Sequence, residues 1–239
     1  MVPTYKRLEW LKRFLDSSID KADSINQIAF CVCINKKDAA SRDFLINYFT
    51  DKKMNFMLTT EETRQPNLSL YFNLMYNAVD QHEAGHDFVA TMFGDDMTFE
   101  TKGYDTRLLS EINVNNGVGV FWCDDGYIAH DKLCVNVAVT KKFIEATERP
   151  FMCPIFKADM IDVVWYYVGQ LTQTLHYLPD VLIQHRHSTG LAEVDQTFER
   201  LIPLQRQANS GTMHQYAQVY AAMCAGNVIT RGMGSWKPL

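Results

Sequence analysis

No run in this 239-residue chain approaches the roughly 18 consecutive apolar residues that a membrane-crossing helix needs, and its start lacks the apolar core of a secretory signal. The expectation is a soluble, cytoplasmic protein with no transmembrane segment. Basic residues are in the minority. With 23 Lys and Arg against 28 Asp and Glu, the net charge is −5, which argues against a broad basic face for nucleic acid. Paired C-x-x-C spacing is absent as well. The cysteines Cys31, Cys33, Cys123, Cys134, Cys153 and Cys224 stand apart in apolar surroundings and read as buried free thiols, not as disulfides or zinc ligands. What is plentiful is apolar residues, at 47%, enough for a full core in one large domain or a domain with a tail.

The apolar residues are arranged in an alternating order. Leu8, Leu11, Phe14 and Leu15 mark an amphipathic helix to about Ser18, and Gln27 to Ile34 reads as a nearly all-apolar strand. Helices are expected over 40–48 and 68–79, with a strand over 55–59 between them. Strands are expected at 88–93, 118–122, 132–140 and 181–187, and helices at 106–112, 141–148, 159–175 and 213–224. Continuous apolar strands alternating with helices predict an α/β fold with a mostly parallel sheet covered on both faces, its post-strand loops gathered along one edge.

At that edge lies Gly94-Asp95-Asp96, closing the run Phe88 to Phe93. Adjacent carboxylates repel and resist burial, so their place at the mouth of a core strand calls for a positive charge between them. A hard divalent cation, Mn²⁺ or Mg²⁺, is the simplest candidate, and a solvated Gly-Asp turn is the plain alternative. Other polar groups fall at the same edge. Pro3, Thr4, Tyr5 and Arg7 form a junction into a helix N-terminus suited to an anion, and Asn35 to Asp38 follow the second strand. Asp159 and Asp162 share a helix face near its N-terminus, where the dipole favours their ionised forms. His185 and His187 share a face of the late strand and could join a metal shell.

Two further patterns need weighing. His82-Glu83-Ala84-Gly85-His86 fits the H-E-x-x-H pattern of zinc peptidases, with Glu100, Glu111 or His130 as a third ligand. That chemistry needs helix interior, whereas Gly85 is a helix terminator and the next strand begins three residues later. A zinc metallopeptidase is therefore the runner-up. Cys123-Asp124-Asp125-Gly126 reads as turn chemistry in preference to a second metal site, with Asp125 a lesser candidate for substrate contact.

Together these segments resemble a nucleotide-sugar-dependent glycosyltransferase of the GT-A fold, in the family-2-like group. The resemblance rests on Val2-Pro3-Thr4-Tyr5-Lys6-Arg7, Gly94-Asp95-Asp96, Lys102-Gly103-Tyr104-Asp105, Asp162-Val163-Val164-Trp165 and Tyr177 to His187. It spans about 2–198, and 1–198 is taken as the GT-A domain, with 199–239 as a helical C-terminal extension packed on it. Two departures stand out: only Met1 precedes the Val-Pro-Thr motif, and Asn35, Lys36, Lys37 and Asp38 replace the loop that often carries an aspartate for the nucleotide base. The resemblance implies a Mn²⁺ or Mg²⁺ ion held by Asp95, Asp96, His185 and His187, with Asp162 as general base and inversion at the anomeric carbon. It assigns Pro3, Thr4, Tyr5, Arg7, Asn35, Asp38, Arg64, Asn73 and Asp95 to the nucleotide, and Asp125, Asp159 and Trp165 to the sugar or acceptor. The implied donor is a nucleoside-diphosphate sugar, with UDP favoured, and the acceptor a glycan, a lipid-linked group or a protein. Nucleic acid is not an expected partner. A non-catalytic nucleotide-sugar-binding protein is the other alternative, and the extension is open to self-association as a homodimer, acceptor cover or contact with a membrane surface.

Overall fold

The computed structural model describes residues 1–62, 67–127, 129–157, 160–186 and 211–235. Eight strands are formed by β1 (Val2–Thr4), β2 (Phe30–Asn35), β3 (Phe56–Glu61), β4 (Val89–Thr91), β5 (Met97–Phe99), β6 (Val120–Asp124), β7 (Ala138–Thr140) and β8 (Leu175–His185). The helices are α1 (Leu8–Lys21), α2 (Ala39–Lys52), α3 (Leu68–His82), α4 (Tyr104–Val114), α5 (Lys141–Ala146), α6 (Ile161–Thr172) and α7 (Gly211–Thr230). The result is a mixed α/β fold with a parallel sheet flanked by helices.

Strands β1, β2 and β3 pair in parallel in that order, and the remaining strands follow the order β4-β7-β6-β8-β5. The two sets are joined across the short first strand. Met1 N donates to Thr91 O at 2.9 Å and Phe93 N to Met1 O at 3.0 Å, the exchange typical of parallel neighbours. Met92 N then reaches Val137 O at 2.8 Å, so the chain from β4 lies between β1 and the strand carrying β7.

The apolar run Phe30 to Ile34 of β2 follows from burial on both faces. Cys31 and Cys33 face a core built with Phe72, Met75, Val164 and Trp165, whereas Phe30, Val32 and Ile34 face Leu11, Phe14, Leu45 and Phe49. The same two-sided alternation recurs in β6, where Val120 and Trp122 oppose Phe121 and Cys123.

Strand β8 shapes the site edge. Its first half runs parallel to β6, and the register then jumps from Cys123↔Leu178 to Asp124↔Leu182. The three skipped residues, Pro179, Asp180 and Val181, form a bulge that accommodates a proline otherwise unsuited to a central strand. Beyond it β8 also pairs antiparallel with β5, setting His185 opposite Met97, next in sequence to Asp96.

Several expected elements are shorter than their composition suggested, among them the strand at 88–93, observed as Val89–Thr91, and the helix at 141–148, observed as Lys141–Ala146. Only Ala138–Thr140 of the expected strand at 132–140 is extended, because Asn136 Oδ1 takes the N–H of Cys123 at 2.7 Å and the preceding residues turn under Trp122. The helix expected over 159–175 is observed as Ile161–Thr172. It stops where Gln173 adopts φ 57°, and Leu175 already belongs to β8.

Helix α6 approaches the sheet closely through Gly169, where an added Cβ would overlap the Leu175 side chain and stand 3.4 Å from Val120 Cβ. Gly→Ala in an unconstrained helix gains up to ~1 kcal/mol, whereas forced overpacking costs ~1–3 kcal/mol. Gly169→Ala is therefore expected to lower the urea midpoint. Gly226→Ala in α7, where an added Cβ meets nothing within 4 Å, should raise it.

Candidate active site

The charge that stands between the paired carboxylates is in the first instance a side chain. Arg7, at the entry to α1, places Nη1 2.7 Å from Asp95 Oδ1 and 3.9 Å from Asp96 Oδ2. Thr4 Oγ1 donates to the other Asp95 oxygen at 2.7 Å. Arg7 is itself held by stacking, its guanidinium lying 5.3 Å from the Trp10 ring. Asp95 is thus a buried anchor whose two oxygens are already engaged. Burial raises its pKa, Arg7 opposes that rise, and the Asp96 charge adds to it.

Asp96 faces the other way, toward β8. Its Oδ1 lies 3.5 Å from His185 Nε2, and its backbone carbonyl accepts Arg186 N at 2.9 Å. Burial works against its ionisation, but the contact and charge of His185, then Arg7, hold the carboxyl below its ordinary range. For His185 burial favours the neutral ring, yet Asp96, Asp125 and Asp162 together raise its pKa. Gly94 is required for this geometry, since a Cβ there would overlap Asp96 Oδ1. Asp96 Oδ1 and His185 Nε2 are oxygen and nitrogen donors of the kind that suit a divalent ion.

Asp162 lies in the first turn of α6, where its Oδ1 accepts Val163 N at 2.8 Å and its carbonyl meets Cys134 Sγ at 3.3 Å. The sequence expectation was a carboxylate kept ionised by the helix dipole. Burial outweighs it, and the pKa is raised, with the Val163 N–H and the charge of His185 opposing. A carboxylate so perturbed, and coupled to His185, is a better proton acceptor than an exposed one.

Several residues expected to touch substrate are committed elsewhere. Asp38 caps α2 through Ser41 N at 3.2 Å and accepts Lys6 N at 2.7 Å, so it shapes the Pro3–Arg7 turn, in which Lys6 has φ 55°. Asn35 bridges to Glu61 Oε1 at 2.9 Å, and Tyr5 lies under Lys6 at 5.4 Å. The Asn73 amide is tied to the backbone of Met152 at 2.9 and 2.8 Å. Trp165 is 3% exposed and donates to Phe151 O at 3.1 Å, which makes it a core residue and not a platform for a sugar. Asp105, in the Lys102-Gly103-Tyr104-Asp105 motif, takes the N–H groups of Asp23 and Ser24 at 2.9 and 2.8 Å. Arg64, Asp159 and His187 lie outside the described residues.

The second acidic pair has a partner that sequence reasoning considered only for zinc. Asp124 Oδ1 meets His130 Nδ1 at 2.8 Å, and Asp125, 2% exposed, accepts His130 N at 2.9 Å and Ala129 N at 3.3 Å. The ligand atoms of Asp124, Asp125 and His130 lie within 4.8 Å of one another. Asp125 O also accepts His185 N at 2.8 Å, which fastens this turn to the Asp96–His185 pair. With both oxygens on backbone N–H groups, Asp125 supports the turn and is withdrawn from direct sugar contact. The H-E-x-x-H segment does not form a site, because α3 ends at His82, Glu83 caps it, and Gly85 has φ 86°. The two histidines therefore do not share a helical face.

No protein-family model matches the sequence, and no curated protein does. Solved structures do match. A mannosyltransferase from Pyrobaculum calidifontis, PcManGT, in complex with GDP-Man and Mn²⁺, is 13% identical with a TM-score of 0.60, over 96% of this chain and 74% of that one. Residues 1–349 of S. aureus TarS are 10% identical with a TM-score of 0.60, over 96% and 70%. The same fragment with UDP-GlcNAc gives 11% and 0.57, over 96% and 71%. Against longer TarS the chain spans 43% of the length. The chain has the GT-A-like fold of nucleotide-sugar glycosyltransferases.

The Asp96–His185 contact has a measurable signature. A histidine whose folded pKa is raised adds stability that is fully present below its unfolded value of about 6.5 and is lost as pH rises through the folded pKa. Asp96→Asn should shift the His185 titration downward in chelator-treated protein, read from its imidazole NMR resonances, and remove that loss of stability. An unmoved titration would show that Asp96 does not govern His185.

Proposed function

We propose that the protein is a metal-dependent glycosyltransferase that moves a sugar from a nucleoside diphosphate to an acceptor hydroxyl with inversion. The observation that carries this reading is Asp96 facing His185 at 3.5 Å on the edge where β4 ends, with Asp162 electrostatically coupled to the same histidine. The bound Mn²⁺ and nucleotide sugars of the matching structures agree with it.

Asp96 and His185 are the residues that would hold Mn²⁺ or Mg²⁺, which supplies charge neutralisation for the leaving diphosphate. Asp95, engaged by Thr4 and Arg7, keeps the turn rigid and lies outside the ligand set. Arg7 adds a fixed positive charge to the edge where the diphosphate would lie. Asp162 accepts the acceptor's proton as the hydroxyl oxygen attacks the anomeric carbon, and its raised pKa suits that role. The turn at Pro3–Arg7 and the loop at Asn35–Asp38 border the nucleotide, with UDP the favoured base-bearing group. The acceptor is a glycan, lipid-linked group or protein. No helix among the described residues is long and apolar enough to cross a membrane.

Donor hydrolysis or transfer should require Mn²⁺ or Mg²⁺, and Asp96→Ala should lower it by ~10²-fold or more. Full turnover in excess chelator would overturn metal dependence. Asp162→Asn should abolish transfer while donor binding persists, which separates an enzyme from a protein that only binds nucleotide sugar. In a thermal-shift screen with Mn²⁺, UDP should stabilise more than GDP or dTDP, a ligand at 100 times its Kd giving about 2.7 kcal/mol. A folded protein that responds to none of the three would sink the glycosyltransferase reading.

A further inference from the structure

Trp165 turns into the core, but the residue after it does not. Tyr166 stands one helical turn beyond Asp162 on the same side of α6 and is partly exposed. Its ring meets the edge of Trp122 with 6.3 Å between centroids, and Trp122 in turn meets Tyr177 of β8 at 5.4 Å. Trp122 is buried and backs the other two, so the three rings form an aromatic band whose outer members, Tyr166 and Tyr177, are partly exposed.

Polar groups edge this band. Asp124 Oδ1 accepts His130 Nδ1 and Gly126 N, both at 2.8 Å, and the Asp124 carboxylate also takes the Tyr177 hydroxyl. A carboxylate has about four lone-pair sites, so Asp124 can accept once more, as can the Tyr177 oxygen. His130, half-exposed, keeps its second ring nitrogen. Trp122 Nε1 donates to His130 O at 2.9 Å, which holds the turn against the rings. The same turn is fastened to the reaction centre at two points. Asp125 O accepts His185 N at 2.8 Å, and Cys134 Sγ lies 3.3 Å from Asp162 O.

The chemistry of the band selects its occupant. A pyranose has C–H faces that lie against aromatic rings and a rim of hydroxyls that donate to carboxylates and phenols, the mixture of broad apolar contact and few polar groups offered here. A serine or threonine in a peptide brings one hydroxyl and no ring face. A phosphate-bearing acceptor would meet Asp124, Asp125 and Asp131, whose charges all act on Tyr177, with Lys132 the one Lys or Arg between positions 124 and 134.

We propose that Tyr166 and Tyr177, with Asp124 and His130 along their rim, form the acceptor subsite, and that the acceptor bound there is the ring of an uncharged saccharide. The assignment rests on Asp162 being the base of a glycosyltransferase.

Binding can be read without turnover, by saturation-transfer NMR on the full chain with the methyl pyranosides of glucose, galactose, mannose and N-acetylglucosamine, and with their phosphate esters at the primary hydroxyl. At least one neutral pyranoside should bind, and its phosphate ester should bind ~10-fold more weakly. Tyr166→Ala should weaken the neutral ligand by about 5-fold or more, whereas Tyr166→Phe, which keeps the ring face, should bind nearly as the native chain does. Asp131→Lys, a change at an exposed position, should strengthen the phosphate ester and leave the neutral sugar within ~2-fold. Circular dichroism and melting curves confirm that the variants fold. Absence of binding by every neutral pyranoside overturns the proposal, as does binding indifferent to both Tyr166→Ala and Tyr177→Ala, or a phosphate ester that binds as tightly as its parent. Nucleoside diphosphates tested by thermal shift report separately on the transferase reading: a response to them without pyranoside binding rejects this subsite alone, and pyranoside binding at the band without that response rejects its role as an acceptor site.

Discussion

The Arg7–Asp95 pair is the interaction on which the site edge depends. It joins the start of α1 to the turn after β4 across 88 positions of sequence, with side-chain exposures of 11% and 5%. Removing either partner would leave a buried charge unmatched, a change that typically costs ~3–5 kcal/mol. The pair also decides what each acidic residue is free to do. With Asp95 fixed by Arg7 and Thr4, Asp96 is the carboxylate presented to β8, and the neighbouring acids have different duties although they share a residue type.

The site is then built outward by backbone connections. Asp125 O holds His185 N, Asp96 O holds Arg186 N, and Asp38 holds Lys6 N. The first two join main-chain groups that side-chain mutation cannot remove, whereas the third depends on the Asp38 carboxylate. This rigid frame brings His185 within reach of the charges of Asp96, Asp125 and Asp162, which together overcome the burial that would otherwise favour its neutral form.

Much of the fold was legible because burial on two faces leaves a continuous apolar strand, as in Phe30 to Ile34, and because α1 and α3 show helical spacing. The acidic turn was legible because two adjacent carboxylates at a strand end demand an explanation. Sequence could not show which positive group meets them, since Arg7 reaches Asp95 only through the fold. Nor could it show whether a polar group is already engaged. Asp38, Asn73 and Asp125 have suitable chemistry, but backbone N–H and C=O groups occupy them. Trp165 fell inward because its helix face and its indole N–H both find partners in the core. The early stop of α6 came from a left-handed Gln173, a conformation that no preference of glutamine announces.

The bulge at Pro179–Val181 carries a consequence for how the chain tolerates change in length. Side chains in a strand alternate faces, so adding or deleting one residue between the bulge and His185 would turn the imidazole to the opposite side of the sheet, away from Asp96. A two-residue change would restore the face but displace the ring by a strand repeat of about 6.6 Å. The stretch from Leu182 to His185 therefore behaves as a ruler of fixed length, and variation in chain length is confined to places where no side chain must be delivered to a partner.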